Sequence, residues 1–384
     1  MRNFAVAIFL LFSLNLVAQN DTNMRLTQNP YEAEWKVIDS LEQQGLPQSA
    51  LAKVNELYER AKSDDNPAQI IKTLIYQQKY QTQLEEDGLV NAIQRLENEL
   101  EDADFPVGPI LQSMLGQMYR NYLEQNIWRI RNRTTVEGNN SEDIRTWSAE
   151  QLQEYPTRYY ISSMLDERTK QVPLDEFSAI TEEGNNSEGL WPTLYDFLAH
   201  RAINHFSSET SYLHEPAYTF TLDNLAAFAN AETFINASFA TDNPETDKQW
   251  VLNFYQNLLQ YHLNDENPRA LIDVDLKRLQ FARNNAVLTN KDSLYANALE
   301  RLHERHAQHP AASEILYQLA NFHFLQGQNY APDPINEVYR LEKRKALRIC
   351  EDCIENYPEE EYGVEKCRWL REQIMKKSLE LHME

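Results

Sequence analysis

Glycine is scarce in this chain of 384 residues: nine occur, where average usage near 7% would give roughly 27. Phosphate-cradling loops and tight hairpin turns depend on glycine's access to positive φ. The deficit therefore argues against both and for a chain of helices. Basic residues are also few, with 36 Lys and Arg against 59 Asp and Glu and a formal net charge of −23. Nucleic acid is excluded as an expected partner, because phosphate binding rests on clustered Lys and Arg. Anionic lipid surfaces are disfavoured for the same reason. Apart from the apolar stretch Phe4 to Leu16, itself too short to span a bilayer comfortably, no segment approaches the ~18 apolar residues of a membrane span. The chain contains no H-E-x-x-H, G-x-S-x-G, phosphate-loop or Rossmann string. Neither an enzyme active site nor a cofactor is expected.

The first residues have the layout of an export signal. Met1-Arg2-Asn3 is a short basic region, Phe4 to Leu16 is apolar, and Leu16-Val17-Ala18 approximates a small-residue cleavage pattern. No cysteine follows the cut, which argues against a lipid-anchored form. Residues 1–18 are expected to be a signal peptide, and the mature chain to be soluble and exported, periplasmic or extracellular, without a membrane span.

Aromatic residues are plentiful, with 20 Tyr, 15 Phe and 6 Trp, and supply large contact areas for packing helices. Their spacing is helical. Leu111, Leu115, Met118 and Tyr122 fall at i, i+4, i+7 and i+11, and Leu89, Ile93, Leu96 and Leu100 repeat that step. Val251, Phe254, Tyr255, Leu258, Leu259 and His262 form a wider apolar face. Turn chemistry separates such runs at Gly45-Leu46-Pro47, Asp64-Asp65-Asn66-Pro67 and Asp104-Phe105-Pro106. The polar stretches Arg131 to Thr146 and Glu182 to Gly189, each containing GNNSE, predict exposed loops. The expected organisation is N-terminal helical hairpins over 19–135, a connecting region with exposed loops over 136–190, and a C-terminal helical domain over 191–384.

The last third carries tetratricopeptide-like spacing. Leu316, Leu319-Ala320, His323 and Gly327 suit a first helix; Ala346, Cys350, Cys353 and the closing Pro358 suit a second. Leu115-Gly116 with Tyr119 echoes the first half of that pattern, and Ala50, Val54 and Leu57 the second. No strict 34-residue period runs through the chain. The predicted fold class is all-α: stacked, tetratricopeptide-like helical hairpins in an α-α superhelix, with no β-sheet domain.

Few residues suggest chemistry. Cys350-Glu351-Asp352-Cys353 is a C-x-x-C string on apolar positions of a predicted helix, with no βαβ pattern around it and no nearby His at convincing ligand spacing. In an exported chain a structural disulfide ranks ahead of buried free thiols, and those ahead of a metal or redox centre. Cys367 is the natural partner and Cys350 its preferred mate. His303, His306 and His309 form a loose helical stripe with no further ligand at hand, so a solvated face is expected and no metal site. Asp273 and Asp275 diverge by about 200° on a helix, too far to share a proton; Asp273 should pair with Lys277 at i, i+4. The acidic runs Glu97–Glu101 and Glu359–Glu361 are expected to be solvated helix ends. N-x-S/T strings at Asn132, Asn139, Asn185 and Asn236 matter only in a eukaryotic secretory pathway.

Several strings together resemble the N-terminal helical region of large exported bacterial proteins of the alpha-2-macroglobulin family. They are Glu34 to Leu41 (EWKVIDSL), Gly45 to Leu51 (GLPQSAL), Ile70 to Tyr80 (IIKTLIYQQKY), Pro192 to Ala202 (PTLYDFLAHRA), Ala270 to Leu288 (ALIDVDLKRLQFARNNAVL) and His309-Pro310-Ala311. The likeness spans roughly residues 31 to 380. It implies a cysteine pair at Cys350 and Cys367, and an architecture otherwise built of macroglobulin β-sandwiches, a protease bait segment and, in some members, a thioester. This chain has no CxEQ thioester string, since its cysteines read CEDC, CIEN and CRWL, and no β-sandwich follows. The resemblance therefore implies a non-catalytic leading module, whose partner is another protein or the missing C-terminal macroglobulin domains. The rival expectation is a free-standing periplasmic tetratricopeptide-like adaptor that binds a protein or peptide.

Overall fold

The computed structural model describes residues 30–130, 143–182, 184, 187–208, 220–240, 246–330 and 339–376. Among them lie fourteen α-helices and no strand; the only β-type pairing is two isolated bridges, Pro173 with Thr193 and Leu222 with Ala286. The all-α expectation is therefore met. The export signal, the first GNNSE string, Asn132, Asn139, Asn185 and the residues after 376 lie outside the described residues. The chain forms two compact units, Met1–Gly184 with Pro192–Glu215, and Asn185–Trp191 with Pro216–Glu384.

The N-terminal unit contains α1 (Glu32–Gln43), α2 (Pro47–Ser63), α3 (Pro67–Leu84), α4 (Gly88–Glu101), α5 (Val107–Ile130), α6 (Ala149–Ser163) and α7 (Leu194–Phe206). The helices begin where the sequence supplies caps. Asn66 Oδ1 accepts the amide of Gln69 at 3.1 Å, and Pro67 occupies the first turn of α3, where no amide is needed. Ser148 with Gln151, and Thr193 with Asp196, form reciprocal capping boxes on α6 and α7. Each helix packs on the next in chain order, with added contacts from α3 to α5 and from α5 to α7.

The anticipated turns separate α1 from α2, α2 from α3 and α4 from α5. Leu111, Leu115, Met118 and Tyr122 are buried along α5 as their spacing predicts. A core of Trp35, Ile38, Ala50, Val54, Leu57 and Tyr80 joins α1, α2 and α3. Trp35 also donates its indole N–H to Gln69 Oε1 at 2.8 Å, which satisfies both buried groups. Gly116 sets the approach of α5 to α6: an added Cβ would stand 2.9 Å from the Tyr160 ring.

The C-terminal unit contains α8 (Ala231–Ile235), α9 (Asp247–His262), α10 (Arg269–Asn285), α11 (Lys291–His306), α12 (Ala312–Gly327), α13 (Glu342–Asn356) and α14 (Tyr362–Met375). The same order of packing holds, with α12 touching both α13 and α14. All six residues from Val251 to His262 named for the apolar face of α9 are buried. Leu316, Leu319 and Ala320 are buried on α12, opposite Ala346, Cys350 and Cys353 of α13. At Gly363 an added Cβ would lie 2.3 Å from the backbone carbon of Ser313, so the start of α14 rests directly on the first turn of α12. No described helix is long and apolar enough to cross a membrane.

Candidate functional site

The most enclosed charged centre lies in the C-terminal unit. Leu271, Asp275, Arg278 and Ala282 follow one buried stripe of α10 at i, i+4, i+7 and i+11. Arg278 is wholly buried, and its Nε donates to Asp275 Oδ1 at 2.9 Å. Its two terminal nitrogens reach the carbonyls of Ala227 at 2.7 Å and Ala229 at 3.0 Å. The guanidinium thereby ties the end of a short 3-10 helix, Leu225–Phe228, and the residue after it to the middle of α10. The ring of Phe234 lies 4.7 Å beneath it.

A cavity of about 90 Å³ opens beside this pair, lined among others by Arg278, Arg301, Arg305 and His306. Three guanidiniums around one cavity suggest an anion site, but each is engaged by the protein. Arg301 donates to the Phe228 carbonyl at 3.0 Å. Arg305 holds Glu232 through both carboxylate oxygens, at 2.7 and 2.8 Å. The pairing with Arg305 keeps the Glu232 carboxyl below its ordinary range. The cavity therefore reads as a gap between braced helices.

The histidine stripe does not converge. His303 Nε2 meets the Tyr357 hydroxyl at 2.9 Å, His306 lines the cavity, and His309 Nδ1 accepts the Ala311 amide at 3.2 Å. Burial lowers the basicity of all three. They do not form the solvated face expected of them: each is only partly exposed, and His309 lies in the turn after α11, which ends at His306. Among the described residues no group of three or more His, Cys, Asp or Glu side chains is placed to hold a metal ion.

Asp273 pairs with Lys277 at 2.5 Å, as the i, i+4 spacing predicts, while Asp275 faces Arg278 instead. The acidic runs need correction at Glu97 and Glu361, and also at Glu99, which is 21% exposed and meets Lys62 of α2 at 3.2 Å. Glu97 accepts from the Tyr119 hydroxyl at 2.7 Å and the Tyr159 hydroxyl at 2.9 Å. Glu361 holds Arg269 through two hydrogen bonds of 2.8 and 3.1 Å. Both are partly buried because tertiary partners arrive from distant helices.

The three cysteines are brought together. Cys350 and Cys353 lie one turn apart on α13, and Cys367 of α14 packs into the same buried cluster. All three are free thiols and fully buried among Leu316, Ala320, Val364 and Leu370. Arg278 and Glu97 were missed by sequence reasoning. Arg278 had a signal, since an arginine stood on the apolar stripe of α10 with an aspartate one turn before it.

Compared with family models, curated proteins and solved structures, the chain matches none. The fold itself defines a class, an all-α protein of helices packed in chain order, in which charged side chains brace helices and segments against one another.

Proposed function

We propose that this chain is a non-catalytic helical scaffold of the cell envelope that holds a protein partner, and that it is akin to the N-terminal module of alpha-2-macroglobulin-like protease-trapping proteins. One observation carries the reading: in each unit the helices pack on the one or two that follow. This is the construction of helical-repeat scaffolds, which present extended surfaces to other proteins. Most of the residues in the strings that carry the family likeness fall on the helices of this packing, with Trp35, Ile38, Ile71, Leu198 and Ala202 buried, while His309-Pro310-Ala311 forms the turn between α11 and α12.

The test is site-specific photocrosslinking in the source cells from the two most exposed tryptophans, Trp128 and Trp369, at 80% and 55% exposure. Recovery from the envelope fraction, joined to a protein with macroglobulin-type β-domains, is the expected result. A partner without such domains would replace the macroglobulin part of the reading with a free-standing adaptor. A chain found in the cytoplasm, or one crosslinked only to itself, would overturn the proposal.

A further inference from the structure

Three thiols gathered in one buried cluster are more than helix packing requires. Cys350, Cys353 and Cys367 are each 0% exposed, and together they are all the cysteine of the chain. Two sit one turn apart on the same buried face of α13, and the third enters the same cluster from α14. Cys353 also donates its S–H toward the Ser313 carbonyl of α12 at 3.7 Å. The rest of the cluster is apolar apart from the phenols of Tyr317 and Tyr357 at its edge, and no histidine, lysine or arginine is among its members to make one of the thiols a standing nucleophile.

We propose that Cys367 is the common partner in a cross-helix disulfide, which it can form with either Cys350 or Cys353, so that α13 and α14 are locked by whichever thiol reacts first. The reaction needs an oxidant carrying its own disulfide, R–S–S–R. The Cys367 thiolate attacks one oxidant sulfur and expels R–S⁻. The Cys350 or Cys353 thiolate then attacks the Cys367 sulfur of that mixed disulfide and expels the second R–S⁻. Two thiols lose two protons and two electrons, and the oxidant leaves as two R–SH. The third thiol can later attack the Cys367 sulfur and displace its neighbour as thiolate, which moves the bond along α13 with no net oxidation.

Burial sets the timing. No oxidant reaches a sulfur while α14 is docked, and contact with the other thiols together with desolvation pushes the Cys367 thiol far up from its ordinary pKa. The bond must form while α14 is undocked, during folding or transient opening, and is then sealed from external thiols. The inference stands independently of the scaffold reading, because it needs only an oxidising thiol–disulfide environment.

The test uses the full chain, opened in mild urea with glutathione disulfide, returned to native buffer, then alkylated in strong denaturant and mapped by mass spectrometry. One alkylated thiol per chain is expected, with Cys367 joined to α13. The cross-link should survive in C350A and in C353A and vanish in C367A. In the oxidised native protein, dithiothreitol should reduce the bond at least tenfold more slowly than in urea. Three alkylated thiols, glutathione adducts without a cross-link, or Cys350–Cys353 as the only bond would overturn the proposal. So would loss of the cross-link in either single α13 variant, or equally fast reduction with and without urea. If C367A fails to fold, the wild-type thiol count and peptide map still decide.

Discussion

Arg278 and Asp275 stand one turn apart on α10 and form an ion pair whose side chains are only 1% and 4% exposed. Such a pair contributes through completeness more than through attraction: desolvating two charges is costly, and only the pair with all its hydrogen bonds recovers that cost. Arg278 completes its set with the carbonyls of Ala227 and Ala229. R278M should destabilise the C-terminal unit by about 3–5 kcal/mol, because it strands a buried carboxylate and two carbonyls. Urea unfolding followed by circular dichroism measures this. A cost under about 1 kcal/mol would mean that the guanidinium is not the brace described.

Glu97 and Glu99 offer a matched comparison on α4. Glu97 accepts two phenolic hydroxyls, one from the wholly buried Tyr119, whereas Glu99 meets the exposed Lys62 at 3.2 Å. E97A should cost about 1–3 kcal/mol, the penalty for an unsatisfied buried donor. E99A should cost less, about 0–1 kcal/mol, because its partner Lys62 is half exposed and can turn to water. Equal effects in equilibrium unfolding would contradict this ordering.

The close approaches at Gly363 and Gly116 predict unequal responses to an added methyl. At Gly363 the obstacle is backbone of α12, which cannot yield locally, while at Gly116 it is the Tyr160 ring. Overpacking of this kind costs about 1–3 kcal/mol. G363A should lie at or above the upper end and G116A toward the lower, read as shifts in melting temperature. The reverse order would show that the α12–α14 contact is the softer one.

His205 predicts a pH dependence in the N-terminal unit. It stacks on Tyr160 at 4.6 Å, and burial, with Arg120 nearby, lowers its pKa from 6.5 to about 3. Its folded value lies below its unfolded one, so the unfolded chain binds a proton that the folded chain does not between those pH values. Stability from keeping this ring neutral is complete above pH 6.5 and is lost as pH falls toward 3. The slope is at most about 1.4 kcal/mol per pH unit. H205F should flatten urea midpoints measured between pH 7 and 4 relative to the parent chain; parallel curves would refute the assignment.

The helices were legible in the sequence because helical periodicity and capping are local. The stripes on α4, α5 and α9, the breaks before Pro47, Pro67 and Pro106, and the pairing of Asp273 with Lys277 follow from residues within about two turns of one another. Scarce glycine and plentiful aromatics pointed to the same class. What periodicity shows is which face of a helix is apolar; it does not show what meets that face.

Only the tertiary structure decided the rest. It turned Glu97 and Glu361 from solvated ends into acceptors for Tyr119, Tyr159 and Arg269, partners 22, 62 and 92 residues away in the chain. It buried Arg278 by bringing the 227–229 carbonyls to α10. It scattered His303 and His306 of α11 and His309 of the following turn among separate neighbours, and it gathered three cysteines carried on α13 and α14. The physical reason is common to all four: whether a polar side chain on a helix is solvated or paired depends on the chemistry of the surface packed over it, and that surface comes from elsewhere in the chain.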